Sequence, residues 1–353
     1  MEDREILQKA AALLIEWYAA SRRVLPWRQS PTPYHVWISE IMLQQTRIEA
    51  VIPYYERFLK ELPDVAALAA VDEDRLLKLW EGLGYYSRAR NLRRAAKQIM
   101  DEYGGELPRK AAELKKLPGI GDYTAGAIAS VAYGEPEPAV DGNVLRVLSR
   151  LLAFEDDIME QKTRRRVTEQ LRAVYPAGAD AALLTEGIME LGETVCIPNG
   201  EARCGVCPLR TLCRARQTDS VGRYPVKAPP RARRIEERTV LLLRCGDRWA
   251  IRRRPDRGLL AGLWEFPGES GALTVQEAAA RVPGALRCTP CGEAVHVFTH
   301  VEWHMRGYVI DCAAPLPDYR WASADELREG FSIPTALRYY QTVLESFSKE
   351  DCR

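Results

Sequence analysis

The sequence has no surplus of charge of one sign. Its 50 Lys and Arg nearly cancel 49 Asp and Glu, for a formal net charge of +1. Any hold on a polyanion must therefore come from local clusters and backbone donors, not from overall basicity. No apolar run approaches the roughly 18 residues of a membrane span. The opening stretch MEDREILQKAAALLIEWY mixes charge with helical periodicity, which a secretory leader does not. Internal repeats and low-complexity tracts are missing, and strand signals are nearly absent before about Cys213. What remains is a globular composition, 46% hydrophobic and 28% charged over 353 residues, long enough for two domains and expected in the cytoplasm. Cysteine, by contrast, is plentiful. Nine of them, in a compartment where structural disulfides are rare, favour metal ligation wherever they cluster.

From Glu5 to about Cys213 the chain reads as helix after helix. Ile6, Leu7, Ala10, Leu13, Leu14, Trp17 and Tyr18 recur at helical spacing, and Asp74–Trp80, Ala89–Glu102 and Val144–Leu152 repeat the pattern. The expected first domain, 1–222, is all-α. Between Val221 and Arg238 the text VGRYPVKAPPRARRIEER holds three prolines and six Lys or Arg against two Glu. No helix or core strand tolerates that composition, so 223–237 reads as an extended basic linker, a solvated spacer or a segment lying along a polyanion. Beyond it the period becomes two. Thr239–Arg244 and Arg248–Arg253 flank Gly246-Asp247, a hairpin signal. Val295–Val301 and Trp303–Cys312 are further strand candidates, Ser323 with Glu326 suits a capping box, and Thr335–Phe347 reads as a last helix. The second domain, 238–353, is thus α+β.

Cys196, Cys204, Cys207 and Cys213 are spaced C-x7-C-x2-C-x5-C. Four thiolates this close can wrap one soft metal centre, zinc or an iron–sulfur cluster. One CxxC with two long spacers suits a cubane better than the two tight pairs usual for zinc. Cys288-Thr-Pro-Cys291 has no convincing second pair and reads as structural or incidental.

Leu117-Pro-Gly-Ile-Gly-Asp-Tyr-Thr-Ala-Gly breaks one helical stretch and opens another. Gly119 and Gly121 allow positive φ and leave backbone N–H groups uncovered at a helix start, a nest that binds phosphate without cationic side chains. Twenty residues past Gly121, Asp141 stands before the apolar-periodic Val144–Leu152. As an N-cap it accepts N–H bonds and faces the helix dipole, both of which favour its ionised form. An anionic carboxylate in a pocket is what an oxocarbenium-like sugar needs beside it; a plain helix cap is the alternative reading.

The hairpin followed by this aspartate resembles the helix-hairpin-helix endonuclease III superfamily of DNA glycosylases. Within it, Ser39-Glu40-Ile-Met-Leu-Gln-Gln-Thr46, preceded by Leu25-Pro-Trp-Arg28, resembles the MutY-type adenine glycosylases, as do Gly82-Leu-Gly-Tyr-Tyr-Ser-Arg-Ala-Arg-Asn91 and the four cysteines. The resemblance implies a [4Fe-4S] cluster on Cys196, Cys204, Cys207 and Cys213, although the first gap is seven residues where the family usually has six. It implies Glu40 as general acid and Asp141 as stabiliser or covalent trap of C1′, with Asn143 and Tyr123 orienting Asp141 and Glu186 assisting. Gln45 and Tyr85 would fill the gap left by a flipped base, with Trp27 and Arg28 near that base. Bifunctional relatives carry a hairpin lysine that forms a Schiff base; Tyr123 stands there and forms no imine, so no strand-cleaving step is expected.

In the second domain, Gly258-Leu-Leu-Ala-Gly-Leu-Trp-Glu-Phe-Pro-Gly268 is similar to the approach to a Nudix box, yet the RExxEE carboxylates that hold magnesium are missing. The resemblance implies a MutT-like fold that binds 8-oxoguanine without hydrolysing a nucleotide, through Phe298, Thr299 and His300, where the family has Phe-Ser-His. The expectation is a monomeric, bacterial, DNA-associated base-excision repair enzyme acting on adenine opposite 8-oxoguanine or guanine.

Overall fold

The computed structural model describes residues 1–229 and 232–350. Pro230 and Arg231, inside the expected linker, and 351–353, at the expected end of the second domain, lie outside the described residues. Two compact units emerge: Met1–Val71 with Asn91–Pro229, and Asp72–Arg90 with the described residues from 232 onward.

The first unit is all-helical; among the described residues no strand precedes Arg234. Its long elements include Asp3–Ser21, Pro33–Leu43, Ile48–Glu61, Gly142–Leu152, Gln161–Arg172 and Ala179–Thr194. Ile6, Leu7, Ala10 and Leu14 form the apolar stripe of the first helix. They pack in one core with Val144, Leu145, Leu148 and Leu151, and with Leu184, Ile188 and Leu191. Full burial of each such side chain contributes about 1.5–3 kcal/mol. Leu13 and Trp17, also expected on that stripe, are only partly buried against the core. Cys196, Cys207 and Cys213 pack against this same core. The cysteine loop is thus anchored on the helices that carry Asp141 and Glu186. No described helix is long and apolar enough to cross a membrane.

The second unit is a mixed sheet. Its strands are β1 (Arg234–Cys245), β2 (Arg248–Arg253), β3 (Trp264–Glu265), β4 (Gly268–Ser270), β5 (Ala285–Val297), β6 (Val301–Cys312) and β7 (Arg320–Ser323). They run in the order β3-β2-β1-β6-β5, with β4 on β1 and β7 on β2. β1 and β6 pair in parallel, from Arg234↔Val301 to Arg244↔Asp311; β1 and β2 form the hairpin across Gly246-Asp247. Apolar residues line both sheet faces: Val240, Leu242, Trp249 and Trp303 on one, Leu241, Leu243, Tyr308 and Ile310 on the other. Ser323 and Glu326 complete their capping box, and Thr274 with Glu277 form a second that the periodicity does not reveal.

Four expectations shift. β1 begins at Arg234, inside the expected 223–237 linker, because alternation and ladder pairing with β6 outweigh its charges. A single strand over Val295–Val301 becomes the end of β5, a turn at Phe298–His300 and the start of β6, closed by Phe298 N–H donating to Val301 O at 2.8 Å. The last helix runs Arg338–Glu350 after a 3₁₀ turn at Thr335–Leu337. Segment Asp72–Arg90, expected in the helical domain, belongs to the second unit. There, Ser332 Oγ donates to Leu77 O at 3.0 Å and Ile333 N–H to the Glu81 carboxylate at 3.1 Å. Cys288 and Cys291 pack against the two different cores of the second unit, with a register irregularity of β5 at Cys291.

Candidate active site

The hairpin places the first carboxylate's neighbour. Leu117 is buried, and Gly119 takes φ +80°, where a Cβ would lie 2.7 Å from Asn91 Cβ. Only glycine serves there. Gly121 differs from expectation: as N-cap of Asp122–Ala127 it is extended, φ −94°, and a Cβ on it would meet nothing within 4 Å. Its smallness is not required by the protein's own packing. After Ala127 the helix widens into a π turn over Ile128–Ala132.

Gly126 sits against the strand-like approach to Asp141. A Cβ on it would stand 2.4 Å from Pro138 O, so glycine lets that backbone run close to the hairpin helix. Arg164 then donates to Val140 O at 2.8 Å. These contacts deliver Asp141 to the N-cap of Gly142–Leu152, where its Oδ1 accepts Val144 N–H at 2.8 Å and its Oδ2 accepts Asn143 Nδ2 at 2.9 Å. The cap and the Asn143 contact are as expected. The net electrostatics are not: burial raises the Asp141 carboxyl above its ordinary value, outweighing the bonds from Val144 and Asn143. Desolvation of a carboxylate acts on the whole charge, whereas each N–H offsets part of it.

Glu40 lies on Pro33–Leu43, whose N-cap is Thr32 and whose other side chains Trp37, Ile38, Ile41 and Met42 are buried. That apolar wall pushes the Glu40 carboxyl up to about 7, helped by the nearby charges of Asp141 and Glu186 and opposed by a bond from Tyr123. Tyr123 Oη donates to Glu40 Oε2 at 2.7 Å and touches Met189 Sδ at 3.6 Å. So Tyr123 is the partner of Glu40, whereas the resemblance implied that it orients Asp141. Burial and Glu40 hold its phenol well above the ordinary range, which keeps it a donor.

Glu186 lies one face over, on Ala179–Thr194. Burial raises its carboxyl, while Arg28 and the Tyr18 hydroxyl at 3.1 Å oppose that. Arg28 stacks over the Tyr18 ring at 5.3 Å and Trp27 is buried edge-on to Tyr55 at 5.5 Å. Glu40, Tyr123, Asp141, Asn143, Glu186 and Arg28 therefore gather at one place in the first unit. Two residues outside the sequence reading join them. Glu190 contacts Arg28, at the i+4 position from Glu186 that periodicity offers. Arg146 donates to Asn143 Oδ1, to Gly192 O and to Cys196 O, at 2.8, 2.8 and 2.9 Å. It joins the Asn143–Asp141 pair to the cysteine loop.

Of the five described non-glycine residues with positive φ, two are Gln45 (φ 60°) and Tyr85 (φ 47°). Left-handed backbone at bulky residues costs free energy and concentrates at functional positions. Tyr85, in the second unit, is 49% exposed, and its hydroxyl meets Thr299 Oγ1 at 2.8 Å. Phe298 packs edge-on to Trp303 at 4.9 Å, leaving Thr299 and His300 exposed at the turn.

The four cysteines Cys196, Cys204, Cys207 and Cys213 line one pocket with Arg150, Arg210 and Arg216. None is in a disulfide, and Arg150 Nη1 donates to Cys196 Sγ at 3.2 Å. Among the described residues no three Cys, His, Asp or Glu converge on a single ion. The fit rests on the donor set: four soft sulfurs facing three guanidiniums suit a thiolate-held iron–sulfur group.

Residues 38–173 match the family described as HhH-GPD superfamily base excision DNA repair protein, and residues 239–342 match the NUDIX domain. The adenine DNA glycosylase of Rattus norvegicus is 33% identical, covering 96% of this chain and 78% of that one. The adenine DNA glycosylase of Schizosaccharomyces pombe is 34% identical, covering 94% and 88%. A solved trapped endonuclease III–DNA covalent intermediate, an estranged-adenine complex, is 26% identical with a TM-score of 0.52, covering 62% of this chain and 99% of that one. A thermostable thymine-DNA glycosylase, 24% identical with a TM-score of 0.54 over 61% and 98%, shares the fold. With a helical repair domain ahead of a NUDIX domain, and relatives of this identity along nearly its whole length, the chain belongs to the adenine DNA glycosylase family of base-excision repair enzymes.

Proposed function

We propose that this protein is a monofunctional glycosylase that hydrolyses the N-glycosidic bond of adenine opposite 8-oxoguanine or guanine. The observation that carries it is the pair of neighbouring carboxyls: Glu40, pushed up to about 7 with Asp141 contributing to the rise, and Asp141, held by donors from Val144 and Asn143. Two carboxyls in unlike surroundings divide the work of acid and of cation stabiliser. Adenine leaves poorly as an anion. Glu40, protonated near neutral pH, delivers its proton to N7 and makes the base a neutral leaving group, a contribution of about 10²–10⁴-fold. Asp141 then faces the developing positive charge at C1′, stabilising it or trapping it covalently, and water completes the hydrolysis. Tyr123 carries no amine, so the sugar is not opened.

The base reaches this site only after leaving the stack, at a cost of a few kcal/mol. Gln45 and Tyr85 fill the gap. Trp27, Arg28 and Glu186 surround the extruded base. The backbone of Gly119 to Gly121 receives a phosphate, and Phe298, Thr299 and His300 contact the 8-oxoguanine. Cys196, Cys204, Cys207 and Cys213 hold a [4Fe-4S] cluster, which when bound cross-links their loop through iron–thiolate bonds. The test is single-turnover excision on duplexes carrying adenine opposite 8-oxoguanine or guanine, with an oxidised-thymine control. Wild type frees adenine without nicking the strand unless base or heat is added, and Glu40→Gln binds the duplex but leaves the adenine in place. Excision by Glu40→Gln would remove Glu40 from the acid role.

A further inference from the structure

Glu190 is 3% exposed, in the helix Ala179–Thr194 one turn beyond Glu186. An isolated carboxylate this deep is costly, and it is tolerated only where its lone pairs are filled. Here two guanidiniums fill them. Arg23 donates from Nε and, at 2.9 Å, from Nη2; Arg28 donates from Nη2 at 3.0 Å. Arg23 continues to Glu193 at 2.6 Å. The charges alternate along one helix face in the order Glu186, Arg28, Glu190, Arg23, Glu193, and Glu190 is the carboxylate that grips both arginines.

What Arg28 lacks is equally informative. Its Nε is buried without a hydrogen-bond partner. Glu186 Oε1 stands 3.4 Å from that Nε, close enough for attraction but not aligned as a bond. Nη1 reaches only Arg23 O, at 3.4 Å. A guanidinium held at Nη2, with its buried Nε–H uncommitted, carries an unsatisfied cost unless an acceptor arrives. A heterocyclic base with ring-nitrogen acceptors is such a partner.

We infer that Glu190 is a positioning residue for excision: by anchoring Arg28 at Nη2 it keeps the Arg28 Nε from closing onto Glu186 and holds it toward the extruded base. The inference rests on the glycosylase reading given above. Without the Glu190 charge, Arg28 swings to Glu186 and forms a two-point ion pair, the geometry guanidinium and carboxylate favour. The donor is then spent inside the protein. Displacement of a positioning group by about 1 Å costs on the order of 10²-fold in rate.

The experiment uses full-length wild type, Glu190→Gln, Glu190→Asp, Arg28→Lys and the Glu190→Gln/Arg28→Lys double variant. Single-turnover excision is followed on a duplex with adenine opposite 8-oxoguanine; binding is followed on the same duplex carrying an uncleavable 2′-fluoro-adenosine. Glu190→Gln should slow excision about 10- to 100-fold with duplex affinity unchanged, and Glu190→Asp should recover part of the loss. The double variant should be no slower than the slower single one, since both changes remove one interaction. Wild-type excision rates in Glu190→Gln, or losses that multiply in the double variant, overturn the inference. A second readout is independent of activity. The Arg28 Nε–H resonance, assigned by its disappearance in Arg28→Lys, should move downfield in Glu190→Gln as the bond to Glu186 forms; an unmoved resonance overturns the inference. Wild type that leaves the adenine in place refutes the glycosylase reading instead, while the resonance still decides the role of Glu190.

Discussion

Replacing Tyr123 by Phe removes one oxygen and one hydrogen bond, and the direction of its effect on the pH profile follows from the site. In the wild type, burial lifts the Glu40 carboxyl to about 7 and the Tyr123 hydroxyl, 2.7 Å from Oε2, opposes the lift by stabilising the anion. If Glu40 is the acid, excision needs its protonated form. The wild-type rate is then flat below about pH 7 and falls above it, tenfold per pH unit. A hydrogen bond to a charged group contributes about 1.5–3 kcal/mol, and 1.36 kcal/mol corresponds to about one pH unit, so its loss moves the falling limb upward by roughly 1–2 pH units. Glu40 is only partly covered, so water takes up some of the vacated bond and the lower half of that range is expected. The assay is the single-turnover excision constant from pH 5 to 10, with saturation by enzyme checked at each pH. Relative to its own plateau, Tyr123→Phe should outlast wild type in alkali. A limb that stays in place or moves down would falsify the Tyr123–Glu40 reasoning, and a wild-type profile without a falling limb would remove Glu40 as the proton source.

Three further outcomes are expected. Gly126→Ala pushes a methyl group to 2.4 Å from Pro138 O; it should cost about 1–3 kcal/mol of stability in a melting experiment and slow excision by displacing the approach to Asp141, and an unchanged melting temperature would contradict the close approach. Cys204→Ser should yield colourless protein of low iron content and lower melting temperature, while Cys288→Ser, on β5, should stay brown. Thr299→Val removes the hydroxyl that meets Tyr85; the preference for 8-oxoguanine over guanine opposite the adenine should narrow by about 2- to 10-fold, and an unaltered ratio would exclude that hydroxyl from lesion choice.

Much of the helical unit was legible because its signals are local. The apolar stripe of Asp3–Ser21, the hairpin glycine at 119 and the cap at Asp141 each depend on residues within a few positions. What escaped depends on distance in sequence. The bond from Tyr123 to Glu40 joins residues 83 positions apart, and no spacing announces it. The direction at Asp141 turned on how much of the unit covers it, which a cap motif does not encode. Glu190 was missed although its spacing from Glu186 and Glu193 was in plain view, because three glutamates on a helix face usually signal solvent. At Arg234–Arg238 composition misled: four charges in five residues read as linker, whereas ladder bonds to β6 use the backbone and are indifferent to the side chains.

The allegiance of Asp72–Arg90 to the C-terminal unit has a consequence for how the chain is made. The contacts from Lys78 to Phe331 O and from Ser332 to Leu77 O close loops of 253 and 255 residues. At a synthesis rate of about 5–20 residues per second, this segment leaves the ribosome roughly 10–50 s before its partners exist. Over that interval the Leu77 carbonyl and the Glu81 carboxylate wait for Ser332 and Ile333, which bond them in the finished protein. Nascent chains stalled between 230 and 320 should therefore be the species most readily bound by chaperones or nicked by protease near Leu77, and extension of the chain past Ile333 should abolish both.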